Sequence, residues 1–344
     1  MANVRFNKPT LTRKDMDAVL QTLVDERIGP GERKREFLKL FAQYVSKKDG
    51  LILRSFYDAL IFSLKSLGLE KKSKVMISML SPKVYLSALK ALDLVPYFAD
   101  VDETYKVIKS EEFDEALKED VKACIFYLPL GSVYEETEKY RESGIKIIED
   151  ISESIGSQYR DIKAGMLGDI VISSFEEDGI ISTAGGAAVL SDSAEIIENL
   201  KSELEKGRRY IELSDMNASL GIVQLSKIEA TLSRRSEIYE AFKQSALKGD
   251  AELFLANKLD YKPNGFCFPV LIKSDIKEMM DFSSKHDIET KKSFSGCAGM
   301  KNMDKFERYP VSIKIINSSL SFPLYPLLKG TDIDIIEKIL RHLG

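Results

Sequence analysis

Between Leu51 and Leu190 short apolar runs alternate with amphipathic stretches. The run Leu51–Leu53 precedes DALIFSLKSLGL, whose apolar residues recur at helical spacing up to a stop signal at Gly68. Next come KVMIS (Lys74–Ser78), a helical stretch at Val84–Leu92, PYFADVD and CIFYLP (Cys124–Pro129). A charged, helix-like stretch at Glu135–Glu142 leads into IKIIED (Ile145–Asp150). Uninterrupted apolar strands separated by helices point to βαβ units and a sheet covered on both faces. DIVISSF and GGAAVLSD predict two more strands, joined by a loop that contains Gly179, Gly185 and Gly186. Helical spacing then runs from about Ala194 to Ala246, with breaks near Gly207 and Ser214. GFCFPVLIK (Gly265–Lys273) predicts a strand, and Ile276–His286 and Ile333–Leu343 predict helices on either side of FPLYP. The pattern gives an α/β protein: a large, mostly parallel-sheet domain over residues 1–240 and a small α+β domain over residues 241–344.

Composition narrows the function. A net charge of −4 without a basic stripe argues against nucleic acid. No run of about 18 apolar residues is present, which argues against a membrane span. The N-terminus lacks an apolar core of signal-peptide length, and the cysteines, Cys124, Cys267 and Cys297, have no paired spacing. Together these predict reduced thiols in a cytoplasmic protein. His286 and His342 lie far apart in sequence, so neither a metal site nor Ser-His chemistry is predicted.

Several segments resemble the DegT/DnrJ/EryC1/StrS family, the pyridoxal-phosphate (PLP)-dependent aminotransferases of fold type I that act in nucleotide-sugar metabolism. NKPTLTRKDMDAVLQTL (Asn7–Leu23) is similar to the family's N-terminal arm, and IGPG (Ile28–Gly31) to its glycine turn. PYFADVDETY (Pro96–Tyr105) resembles the strand that ends in Asp-Val-Asp, and IKIIEDISESIGSQYRDIKAGMLGDIVISSF (Ile145–Phe175) is the most specific match. MNASLGIVQLSKIEATLSRRSEIYEAF resembles the long helix after the active-site segment, and SLSFPLYPLL the Leu-Pro-Leu-Tyr-Pro near the end. The resemblance implies a fold-type-I PLP-dependent transferase-like architecture, PLP as cofactor, a nucleotide-sugar ligand and a dimer.

Such enzymes need a pyridine-nitrogen partner, a phosphate cradle, a stacking side chain and a lysine that holds the cofactor covalently. By resemblance Asp150 is the nitrogen partner, Glu153 stands near the ring hydroxyl and Ser174 meets the phosphate. Read without the resemblance, Asp150 is as readily a residue that ends a strand. The lysine position, five residues after Ser174, holds Gly179, and no lysine lies between Lys163 and Lys201. Glycine can neither hold the cofactor nor shuttle a proton, and it differs from the histidine of the dehydratase branch. The Ser-Gly-Thr cradle reads Ser55-Phe56-Tyr57, where Phe56 removes glycine's close approach and Tyr57 is expected to fill the phosphate's space. Glu176, Glu177 and Asp178 follow Ser174; one of them facing inward would repel a phosphate by about 4 kcal/mol at ~4 Å. The stacking aromatic falls near Ser81-Pro82-Lys83, with none until Tyr85, and the cross-dimer Asn-Tyr-Arg aligns with Tyr210-Ile211-Glu212.

The candidate cofactor contacts are therefore Asp150, Glu153, Ser174, Tyr57 and Gly179, with no catalytic residue assigned and any PLP held non-covalently. The expectation is a family member degenerate for transamination that binds a ligand or serves as a partner subunit, in a homodimer or beside an active relative. The alternative is an active family enzyme that uses non-covalent PLP or a residue from a partner chain. In that case Asp150, Glu153 and Ser174 could share acid–base work.

Overall fold

The computed structural model describes residues 4–249 and 251–343. Its centre is a seven-stranded sheet. In chain order the strands are β1 (Asp49–Leu53), β2 (Lys74–Ser78), β3 (Val95–Ala99), β4 (Val121–Tyr127), β5 (Lys146–Asp150), β6 (Ile170–Ser174) and β7 (Ala187–Ser191). Their order in space is β1-β7-β6-β5-β4-β2-β3. β7 runs antiparallel to both neighbours and every other pairing is parallel. The inner strands are buried along nearly their whole length, which is why their sequences are continuous apolar runs rather than alternating ones.

Four helices position the region of interest: α1 (Arg13–Val24), α2 (Glu32–Tyr44), α3 (Phe56–Ser66) and α4 (Val84–Ala91). The carboxylate of Asp215 caps α2, accepting from the amides of Gly31 (2.7 Å), Arg33 (3.2 Å) and Lys34 (2.9 Å). A carboxylate there satisfies orphan amides and complements the helix dipole. Phe37 and Phe41 of α2 pack on Phe175, with ring centroids 5.1 and 5.0 Å away, and fix the chain as it leaves β6. The expected breaks near Gly207 and Ser214 fall between helices Ala194–Glu205, Arg208–Ile211 and Asp215–Ser226. The helical part of the charged 135–142 stretch is only Glu138–Glu142.

The C-terminal part forms a four-stranded antiparallel sheet that includes Phe268–Leu271 and Ser319–Phe322. Residue 240 lies within the continuous helix Ile228–Ala246, which packs on helix Gly330–Arg341. Val4 pairs with Ile288, which ties the chain's beginning to the C-terminal part. Asp100, at the end of β3, crosses in the other direction: it accepts from the Ser312 amide at 2.8 Å and from Lys109 Nζ at 3.1 Å. The first aspartate of Asp-Val-Asp is thus a structural cap on helix Pro310–Ser318. Among the described residues no helix is long and apolar enough to cross a membrane.

Candidate functional site

The carboxyl end of β5 places two acids on opposite faces of the sheet, as strand alternation requires. Glu149 faces the loop before β6. It accepts from the amides of Gly165 (2.7 Å), Leu167 (2.9 Å) and Gly168 (2.8 Å) and from the Tyr134 hydroxyl (2.9 Å). Burial pushes its carboxyl upward, and these donors oppose the shift. Glu149 is therefore a pin that holds the KAGMLGD loop, which accounts physically for much of the most specific segment.

Asp150 lies on the other face, only 1% exposed. Its Oδ1 accepts from the Ser152 amide (2.9 Å) and hydroxyl, and its Oδ2 accepts from the phenol of Tyr85. Tyr85, in the first turn of α4, is fully buried and lies between Phe56 and Tyr127, with ring centroids 6.5 and 6.3 Å away. Burial first, then the neighbouring Asp150, holds the phenol's pKa far above its ordinary value, so it remains a donor. Tyr127 in turn donates to Glu153, which also accepts the Leu130 amide at 2.9 Å. Burial, with help from Asp150 and Asp178, pushes the Glu153 carboxyl up to about 7.

This arrangement decides whether the residues fit PLP. A pyridine nitrogen needs one oxygen of the aspartate, and both are already taken by the chain's own donors. Freeing Oδ2 means breaking a hydrogen bond to a charged group, about 1.5–3 kcal/mol. It also means expelling a buried aromatic ring, about 1.5–3 kcal/mol more. Together these weaken binding by roughly 10² to 10⁴-fold. The side chains do not fit the group as they stand.

The phosphate end agrees. The Ser55 hydroxyl caps α3 by accepting the Asp58 amide at 3.1 Å and donating to the Asp58 carboxylate at 2.7 Å. An acid in the first turn already supplies the negative charge that a helix N-terminus favours. Tyr57 does not play its expected part. It is 38% exposed and makes no described hydrogen bond to this group; the ring that packs on Tyr85 is that of Phe56.

Ser174 and the lysine position lie in the turn after β6. Ser174 donates its amide to the Ser152 hydroxyl (2.9 Å), and its own hydroxyl accepts the Glu176 amide (3.3 Å). Glu176, Glu177 and Asp178 are exposed, so the inward repulsion considered above is replaced by a longer-range effect of Asp178 on Glu153. At Gly179 a Cβ would stand 2.7 Å from the Ile181 carbonyl oxygen and 3.2 Å from that of Glu176. Both obstacles are backbone, so the turn is built for a residue without a side chain.

Asp150, Ser174, Glu153, Ser152, Tyr85 and Tyr127 thus meet at the carboxyl ends of β4, β5 and β6, the usual place for a site in such a sheet. Sequence reasoning missed Ser152, Tyr127 and the role of Tyr85. The only available signal was Tyr85 as the first aromatic after the missing stacking residue. Ile211 and Leu213 are tied to the edge of β1 through Arg54 N (2.8 Å) and Ile52 O (3.2 Å), and Glu212 pairs with the buried Lys34. Among the described residues no group of three His, Cys, Asp or Glu could hold a metal.

Residues 9–341 match the model of the DegT/DnrJ/EryC1/StrS aminotransferase family. A Campylobacter jejuni UDP-4-amino-4,6-dideoxy-N-acetyl-beta-L-altrosamine transaminase is 24% identical, covering 98% of each chain. The aminotransferase TlmJ from Streptoalloteichus hindustanus superposes with a TM-score of 0.89 at 22% identity, covering 98% of each chain. An E. coli GDP-4-keto-6-deoxy-D-mannose-3-dehydratase with bound hydrated PLP gives 0.86 at 19% identity, covering 99% of this chain and all of the other.

Proposed function

The chain belongs to the DegT/DnrJ/EryC1/StrS aminotransferase family, and from that premise we propose that it keeps the family's fold without its transaminase chemistry. In this reading it is a cytoplasmic ligand-binding or partner subunit in nucleotide-sugar or polysaccharide metabolism. One observation carries the proposal: Asp150 is buried, with both oxygens held by Tyr85 and Ser152. The turn at Gly179, which has no room for a side chain, supports it independently. A subunit role draws on α1, where Met16, Leu20, Leu23 and Val24 form an exposed apolar stripe at helical spacing. The second subunit is another copy or an active relative.

The test is an absorbance titration of the purified protein with PLP, followed by borohydride reduction and mass analysis. The proposal expects no saturable spectral change and no adduct. A saturable spectrum without an adduct would favour non-covalent PLP held through Asp150 and Ser174. A reduced lysine adduct would overturn the proposal.

A further inference from the structure

A groove of about 810 Å³ lies at the amino end of β1, the opposite end of the sheet from Asp150. It runs between α2 and helix Ala194–Glu205, over an apolar floor of Leu38, Ala42, Leu51 and Leu204. Its rim is cationic. Lys34, Lys47 and Lys201 are held by Glu212, Asp192 and Asp49. Arg35, Lys39 and Lys48 are exposed, and among the described residues none of the three has a carboxylate within ion-pair distance. An adjoining cavity of about 480 Å³ shares Lys47 and adds Arg141 and Lys146.

The chain as a whole carries −4, so an excess of unpaired cations around one apolar-floored groove is a local reversal of sign. Like charges on one rim repel, and a bound anion relieves that repulsion. Lysine and arginine suit phosphate oxygens, while the apolar floor suits a planar or hydrocarbon portion of the same ligand. We propose that this groove binds a phosphorylated small molecule of nucleotide size. The proposal does not depend on what happens at Asp150.

A competing role for the cations exists. β1 is the edge strand of the sheet, residues 211–213 cover only its Ile52–Arg54 end, and lysines commonly protect open strand edges. The experiment separates the two roles. The full chain is titrated calorimetrically at low salt with ADP, UDP and inorganic pyrophosphate, and the titrations are repeated with Lys39→Glu/Lys48→Glu and with Arg35→Ala. The expected result is saturable binding of the nucleotides, tighter than pyrophosphate, and weakened about tenfold or more by the double charge reversal. Circular dichroism checks that each variant is folded. No saturable binding of any probe, or an affinity unchanged by the reversal, overturns the proposal. Self-association of the double variant with unchanged affinity would assign the lysines to guarding the strand edge.

Discussion

The phenol of Tyr85 donates to Oδ2 of Asp150 across 65 residues of chain, in a place closed to solvent. It joins α4 to the end of β5 at the point where the family's cofactor would make its nitrogen contact. Removing the hydroxyl leaves a buried carboxylate one donor short. Tyr85→Phe should therefore lower stability by about 1.5–3 kcal/mol, and Tyr85→Ala by about 3–5 kcal/mol, in urea denaturation. A neutral Tyr85→Phe would show that this bond does not hold Asp150.

Restoring the lysine alone should not restore cofactor attachment. In Gly179→Lys the new Cβ meets two backbone carbonyls, so the turn must shift, at about 1–3 kcal/mol. The expected outcome is a lower melting temperature and no reduced PLP adduct by mass. An adduct at residue 179 with unchanged stability would contradict this reading of the turn.

Glu153 predicts a pH dependence. Its folded-state pKa, pushed up to about 7 from an ordinary 4.5, means that the folded chain binds this proton more tightly than the unfolded chain. Its contribution is complete below about 4.5 and is lost as pH rises through about 7. Glu153→Gln should flatten that part of the stability profile, measured by denaturation between these limits. Coincident profiles for the two proteins would remove Glu153 from the explanation.

Glu149 tests the structural half of the acid pair. Glu149→Ala leaves three loop amides and the Tyr134 hydroxyl without their acceptor, which should cost about 3 kcal/mol or more. Amide exchange in residues 165–168 should rise accordingly. Unchanged exchange there would place the loop's anchor elsewhere.

The fold was legible because it is written in contiguous signals: apolar runs such as KVMIS and IKIIED, helical spacing, and breaks near Gly207 and Ser214. The missing lysine was legible too, since a residue type at a fixed offset needs no coordinates. What sequence could not show was which residue replaces a lost contact. Tyr85 shares its helical face with Ala88 and Leu89 and therefore looks like core; its hydroxyl partner lies on a strand reached only through the fold. Tyr57 and Phe56 were interchangeable as fillers until α3 turned one outward and the other toward Tyr85. The exposure of Glu176–Asp178 likewise depends on how the turn after β6 closes.

The two neighbouring acids at the end of β5 answer to different selective pressures. Glu149 must persist in any chain that keeps its loop folded, whether or not a reaction is performed, because its partners are backbone amides. Asp150 is free to change employer, from a nitrogen outside the chain to a phenol within it, without changing its letter. A catalyst can thus retire while its signature goes on being copied, maintained by the demands of assembly alone.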